Sequence, residues 1–100
     1  MSKLFLGVDG GGTKTVAAVA DESGRVVAHA RTGGSNYQAI GASAAGRELR
    51  AAVDSALKAA GATMDDVAAA AFGMAGADRA SEMAIVEAMV DAHVAVKPRF

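Results

Sequence analysis

The segment Leu6–Val19, LGVDGGGTKTVAAV, holds the residues of this chain best suited to chemistry. Three consecutive glycines stand between Asp9 and Thr13, and Lys14 follows directly. Because glycine has no Cβ, its backbone N–H groups can approach an anionic oxygen, and the chain can turn with a positive φ. A carboxylate suits hydrated Mg²⁺, while a hydroxyl and an ammonium group suit phosphate oxygens. The pattern predicts a phosphate site beside a divalent cation, and the alternative is an ordinary glycine hairpin with an unrelated aspartate.

Two well-known phosphate motifs do not fit this segment. A P-loop needs Gly, four residues and then Gly-Lys-Ser/Thr, whereas here Gly7 and Gly12 are followed by Thr13 before Lys14, so the lysine comes one place late. The dinucleotide fingerprint opens a helix, whereas the residues from Thr15 onward predict a strand. The phosphates would therefore lie against a hairpin turn and not against a helix N-terminus.

Apolar alternation around the glycines predicts the sheet that must position them. We predict strands over Leu4–Val8, Thr15–Ala20 and Arg25–Ala30. The glycine turn joins the first pair, and the DESG turn joins the second. The chain therefore opens with a three-stranded antiparallel meander.

The rest of the chain predicts two helices around a fourth strand. Helical spacing of apolar residues predicts a long helix from Tyr37 to Ala60, ended by Gly61. The apolar run Val67–Phe72 suits either a helix, because of its alanines, or a short buried strand, and we predict a strand. A second helix is predicted from Arg79 to about His93. The order β-β-β-α-β-α indicates an α/β fold.

Composition excludes several classes of function. The 10 basic and 11 acidic residues are scattered and give a net charge of −1, and aromatic residues make up only 4%, so a nucleic-acid interface is not expected. With no cysteine, disulfides and thiolate metal sites are excluded. His29 and His93 lack metal-ligand spacing and are interpreted as structural. No apolar run suits a signal peptide or a membrane span, so we expect a cytoplasmic protein without membrane contact.

Three motifs in order, GVDGGGTKT, GGSN and GMAGADR, resemble a known family. Together, over Leu4 to about Ala92, they resemble the N-acetylglucosamine and glucosamine kinases grouped with the BadF/BadG/BcrA/BcrD-type ATPases. That family lies in the superfamily of sugar kinases, actin and heat-shock ATPases. The resemblance implies a ribonuclease H-like half-domain with a mixed sheet, in which residues 1–100 form an N-terminal lobe.

The resemblance also implies roles for the first motif. In the family, the matching glycine and threonine positions contact the ATP phosphates, which are Gly11, Gly12 and Thr13 in this chain. Lys14 would reduce the phosphate charge. The matching aspartate lies near the Mg²⁺ of the nucleotide, which implies that Asp9 holds this ion through water.

The second and third motifs are implied to face the amino sugar. Asn36 matches the asparagine that contacts the sugar, although an isolated reading of the loop favours helix capping about equally. Gly76 and Asp78 would border the sugar pocket. Alternatively, Asp78 and Arg79 start the following helix, where an acidic residue is stabilised by the helix dipole.

Part of the family's machinery is expected beyond Phe100, namely the catalytic general base, the second phosphate loop and the C-terminal lobe. Asp91 resembles the base in its local sequence, but it falls within the predicted second helix and is rejected. We therefore expect a truncated chain with little or no catalysis by itself. The resemblance is compatible with a homodimer of the longer protein. Alternatives are a BadF-type ATPase that drives electron transfer in a partner enzyme, and a non-catalytic fragment.

Overall fold

The computed structural model describes residues 3–77 and 79–94. The sheet contains four strands, and the helical elements follow the third and fourth of them. The strands are β1 (Leu4–Gly10), β2 (Lys14–Ala20), β3 (Val26–Gly33) and β4 (Val67–Met74). The helices are α1 (Tyr37–Ile40), α2 (Ala42–Ala59) and α3 (Ala80–His93), and a 3-10 turn over Met64–Asp66 precedes β4.

The strand order is β3-β2-β1-β4. The first three strands pair antiparallel, and β4 pairs parallel to β1. The predicted meander, the mixed sheet and the assignment of Val67–Phe72 to a strand are therefore confirmed. Because β1 and β4 are parallel, the turn after Gly10 and the loop after Met74 lie at the same edge of the sheet.

The core lies between one face of the sheet and α2, with α3 packed beside α2. In β1, Leu6 and Val8 point into this core, whereas the alternate residues point to the opposite face. On α2, Leu49 and Val53 are fully buried. Many of the other core positions are alanines, which let the helix approach the sheet closely. The buried alanines are Ala17, Ala45, Ala52, Ala56 and Ala70.

The predicted single helix from Tyr37 to Ala60 is wrong, because Gly41 divides it into α1 and α2. Gly41 has a φ of 86°, which L-residues with a side chain rarely adopt. Its N–H donates to the carbonyl of Tyr37 at 2.8 Å and closes α1, while its own carbonyl accepts from Ala45 N at 3.0 Å and opens α2. Gly61, with a φ of 67°, confirms the predicted end of the helix.

Three strands extend further at their C-terminal ends than the sequence predicts. β1 continues to Gly10, β3 to Gly33 and β4 to Met74. Pairing extends them, because Lys14 stands opposite Gly33 on β3, and Gly10 opposite Met74 on β4. The glycine-containing C-terminal ends of these three strands therefore lie at the same end of the sheet and are part of the paired strands.

The other face of the sheet carries a shallow groove of about 490 Å³. Among the residues that line it, Gly7, Ala18, Ala71 and Gly73 leave its floor nearly flat. Asp9 is among the residues that line this groove. Within residues 3–77 and 79–94, none of the helices has the length and apolar character needed to cross a membrane.

Candidate functional site

The turn between β1 and β2 presents open backbone. Gly11 N donates to the carbonyl of Lys14 at 2.8 Å and closes the turn. Gly12, Thr13 and Lys14 are all exposed, and a β-carbon built on Gly12 would meet nothing within 4 Å. The expectation that these glycines supply a positive φ is wrong, since in the described residues positive φ occurs only at Gly24, Gly41, Gly61 and Gly76. Because these glycines have no side chain, solvent and the neighbouring loop can instead reach the backbone of the turn.

The second glycine motif packs directly against this turn. Ser35 N donates to the carbonyl of Gly11 at 3.0 Å. A β-carbon on Gly34 would overlap the carbonyl oxygen of Gly12 and would lie 3.2 Å from Thr13 N. Only glycine at residue 34 permits this approach. The GGGT turn and the GGSN loop are therefore one packed unit.

The third motif joins the same unit from β4. Ala75 N donates to the carbonyl of Gly10 at 2.7 Å. Gly76 has a φ of 89°, and a β-carbon there would lie 3.2 Å from Asn36 Oδ1 and 3.0 Å from a ring carbon of Tyr37. The structure thus brings Asn36 and Gly76 together. Asp78 lies outside the described residues.

Asn36 acts as the N-cap of α1. Its Oδ1 accepts a hydrogen bond from Gln38 N at 3.0 Å, so the capping interpretation is confirmed. The amide NH₂ of the same side chain makes no hydrogen bond to another described residue, and the residue is half-buried beside Gly76. An asparagine amide has two donors besides its acceptor oxygen. The capping role therefore leaves donors for a sugar hydroxyl, and the sugar contact stays a prediction.

Asp9 and Lys14 lie on the same face of the sheet, opposite α2. Asp9 stands opposite Val16 on β2 and opposite Gly73 on β4, and Lys14 is two residues from Val16, which returns it to the same face. Both side chains are exposed. A carboxylate and an ammonium group therefore flank the glycine turn from one side.

The helix α2 holds the second loop through Glu48. Its Oε1 accepts from Gly33 N at 2.9 Å, and its carbonyl accepts from the hydroxyl of Thr32 at 2.9 Å. These contacts form because β3 extends to Gly33 and passes beside α2. Helical periodicity alone gave no signal for this contact.

Sequence reasoning also missed two buried hydroxyls under the site. Thr15 and Ser35 are both fully buried, and their Oγ atoms lie 2.7 Å apart. The only signal was a polar residue, Thr15, at an inward position of β2.

Two further titratable candidates, His93 and Asp91, lie on α3. His93 Nδ1 lies 3.0 Å from the carbonyl of Met89, and its ring packs against Gly46, which agrees with a structural role. Asp91 lies within α3, as predicted. Among the described residues, no group of three or more His, Cys, Asp or Glu side chains is arranged to hold a metal ion.

Comparison with known proteins gives a consistent result. Residues 6–99 match the model of the BadF/BadG/BcrA/BcrD ATPase family. The N-acetyl-D-glucosamine kinase of Dictyostelium discoideum is 31% identical over 98 residues, an alignment that covers 90% of this chain and 31% of that enzyme. This chain therefore spans under a third of the length of that relative.

Solved structures share the fold. A protein of Chromobacterium violaceum that is provisionally named an N-acetylglucosamine kinase superposes with a TM-score of 0.68 at 24% identity, covering 86% of this chain and 30% of that one. The (R)-2-hydroxyglutaryl-CoA dehydratase component A of Acidaminococcus fermentans superposes with a TM-score of 0.51 at 22% identity, covering 84% and 29%. The predicted α/β fold with a mixed sheet is confirmed.

Proposed function

Because the chain belongs to the BadF/BadG/BcrA/BcrD ATPase family, we propose that it forms the phosphate-binding part of an ATP-dependent amino-sugar kinase. The reaction moves the γ-phosphoryl group of ATP to a hydroxyl, the 6-hydroxyl, of N-acetylglucosamine or glucosamine. The observation that carries the proposal is the convergence of three glycine-rich loops at one edge of the sheet. Hydrogen bonds from Ser35 N to Gly11 O and from Ala75 N to Gly10 O join them.

The exposed turn supplies the phosphate contacts. In this proposal, the N–H groups of Gly12 and Thr13 and the Thr13 hydroxyl donate to phosphate oxygens, with Gly11 as the base of the turn. Gly12 suits this role because no atom of the described residues occupies the space over its Cα. Lys14 adds a positive charge on the face that it shares with Asp9.

Asp9 fits a magnesium ion that is held mostly by water and phosphate. It is a single exposed carboxylate beside the turn, with no cluster of further metal-binding side chains in the described part of the chain. Mg²⁺ accepts one or two carboxylates and keeps several waters, so one aspartate is chemically sufficient. When bound, the ion neutralises charge on the phosphate oxygens. Asp9 would hold the ion through its bound water.

The sugar side is formed by the second and third loops. Asn36 would donate its amide hydrogens to a sugar hydroxyl while its oxygen continues to cap α1. Gly76 lets the third loop approach Asn36. We retain Asp78 as a sugar-pocket residue on the basis of its sequence motif.

In this proposal, catalysis requires the intact protein, meaning a longer polypeptide of which this chain forms one part. Phosphoryl transfer depends on positioning and on neutralising charge from both sides of the triphosphate. This chain supplies groups on one side only, and its matched kinase relative is much longer. The general base and the second phosphate loop are therefore assigned to residues outside this chain.

The proposal is tested by incubating the intact protein with MgATP and each of N-acetylglucosamine, glucosamine and glucose. We expect ADP formation that depends on an amino sugar, together with a sugar phosphate detected by mass spectrometry. ADP formation at the same rate without any sugar would instead favour the ATPase that serves a partner enzyme. Absence of both turnover and MgATP binding would contradict both functions.

A further inference from the structure

A buried pair of hydroxyls lies beneath the site. It is part of neither the proposed phosphate contacts nor the proposed sugar contacts. Thr15 and Ser35 are both 0% exposed. Thr15 Oγ1 lies 2.8 Å from the carbonyl of Gly33 and 2.7 Å from Ser35 Oγ. A carbonyl can only accept, so the Thr15 proton goes to Gly33 and the Ser35 hydroxyl donates to Thr15.

The hydroxyl pair lies where the glycine turn and the GGSN loop meet. Thr15 stands in β2 directly after the glycine turn, while Ser35 precedes Asn36 and donates its N–H to Gly11 O at 3.0 Å. Gly10 makes the approach feasible, since a β-carbon there would lie 2.5 Å from Ser35 Oγ. A shift of either loop would therefore separate the hydroxyls.

Separation of the hydroxyls would be costly because water cannot replace the lost partner. A buried polar group without a hydrogen bond bears the full cost of its desolvation. Hydrogen bonds in a low-dielectric core also polarise one another. The two consecutive hydrogen bonds, from Ser35 to Thr15 and from Thr15 to Gly33, therefore act as a unit. Both loops are then held together or released together.

We propose that the Thr15–Ser35 hydroxyl pair positions the two loops jointly, so that a ligand at the glycine turn and a ligand at the Asn36 loop strengthen each other's binding. The inference rests on the proposed function for the identity of the ligands. It assigns Thr15 and Ser35 as positioning residues that touch neither ligand. Coupling between sites requires an element that both ligands bias, and this pair is that element.

The chain offers a matched set of variants. Thr15→Val removes the central hydroxyl and keeps the shape of the side chain, and Thr15→Ser restores the hydroxyl without the methyl group. Thr32→Val is the control, because the Thr32 hydroxyl donates to Glu48 O at 2.9 Å and links β3 to α2 without joining the two loops. Ser35→Ala is the milder variant, since it leaves the bond from Thr15 to Gly33 in place.

The first measurement is the dissociation constant of a magnesium complex of a non-hydrolysable ATP analogue, with and without saturating N-acetylglucosamine, in the intact protein. We expect the sugar to tighten analogue binding about fivefold or more in the wild type, in Thr15→Ser and in Thr32→Val, and by less than about twofold in Thr15→Val. Equal coupling in Thr15→Val and the wild type would overturn the proposal, as would absence of coupling in the wild type.

The second measurement needs no ligand and so separates this proposal from the proposed function. Amide hydrogen exchange is compared in residues 11–13 and 33–36. We expect Thr15→Val to speed exchange in both segments, Ser35→Ala to do so to a smaller extent, and Thr32→Val to leave residues 11–13 unchanged. Faster exchange in only one segment would overturn joint positioning, even in a protein that binds neither ATP nor sugar.

Discussion

Gly34 lies against Gly12 so closely that a β-carbon on Gly34 would overlap the Gly12 carbonyl oxygen. The converse does not hold, since a β-carbon on Gly12 would point into open space. The two glycines therefore serve different purposes. One permits packing between loops, and the other leaves room over the turn.

This asymmetry predicts different results for alanine at the two positions. Gly34→Ala should lower the free energy of unfolding by about 1–3 kcal/mol, because the turn must move away from the added methyl group. Gly12→Ala should change it by less than about 0.5 kcal/mol. Urea unfolding of the intact protein measures both. Equal stability of the two variants would contradict the packing of the two loops.

The same pair separates packing from phosphate binding. We expect Gly12→Ala to raise the KM for ATP, because its methyl group occupies the space proposed for a phosphate oxygen. An unchanged KM for ATP in this stable variant would remove Gly12 from the phosphate site.

Asp9→Asn is expected to lower kcat/KM by about tenfold to a hundredfold, the usual effect of losing a group that orients a metal through water. The Mg²⁺ concentration needed for half-maximal rate should rise, because the amide holds the water shell more weakly. Asp65→Asn, an exposed aspartate in the 3-10 turn, is the control and should behave as the wild type. A normal Mg²⁺ requirement in Asp9→Asn would move the ion elsewhere.

Thr13→Ala is expected to slow phosphoryl transfer much more than it destabilises the fold. The side chain is exposed, so its removal should change the free energy of unfolding by less than about 0.5 kcal/mol. Loss of one hydrogen bond to phosphate should raise the KM for ATP by about tenfold. Steady-state kinetics and urea unfolding give the two values. If Thr13→Ala and Asp9→Asn both kept full activity, the assignment of the turn to phosphate would be wrong.

Asn36→Asp separates the capping role from the sugar contact. The carboxylate can still accept from Gln38 N, so α1 stays capped, but the amide donors are lost. We expect the KM for the amino sugar to rise by about tenfold, with the KM for ATP nearly unchanged. The comparison variant Asn36→Ser keeps a capping group and should show the same kinetic defect. Normal kinetics in both variants would leave Asn36 with its capping role alone.

The turn between β2 and β3 predicts a pH dependence of stability. The Ser23 hydroxyl, which donates to Asp21 Oδ1 at 2.6 Å, is the main cause that lowers the pKa of Asp21 below its ordinary value of 3.8, and the N–H groups of Arg25 and Ser23 contribute. A lowered folded-state pKa stabilises the fold at pH values above the unfolded-state pKa. That stabilisation is lost as the pH falls through the folded-state pKa.

The variant Asp21→Ala should therefore be less stable than the wild type at neutral pH, and the difference should shrink as the pH falls below 3.8. Urea unfolding across this pH range measures the difference. Asp21→Asn, which keeps an acceptor oxygen without the charge, should show a weaker pH dependence than the wild type. A constant difference between Asp21→Ala and the wild type at all pH values would contradict a role for the Asp21 charge.

The sequence by itself determined the order of the elements and the positions of the glycine-rich loops. Apolar alternation predicted the meander, and helical spacing predicted the part of the long helix that became α2. These signals are reliable because they depend on residues a few positions apart, where period and turn chemistry act locally. The break at Gly41 escaped prediction because one glycine is also tolerated within a helix, and only its φ of 86° distinguishes the two cases.

Tertiary structure alone decided which groups meet at the site. The overlap of Gly34 with Gly12, the hydrogen bond from Gly33 N to Glu48 and the pairing of Thr15 with Ser35 join residues 15 to 22 positions apart. Such contacts depend on strand register and on the docking of α2 across the sheet, and neither leaves a local pattern in the chain. Sequence therefore identified the glycine loops, whereas packing determined how they are held together.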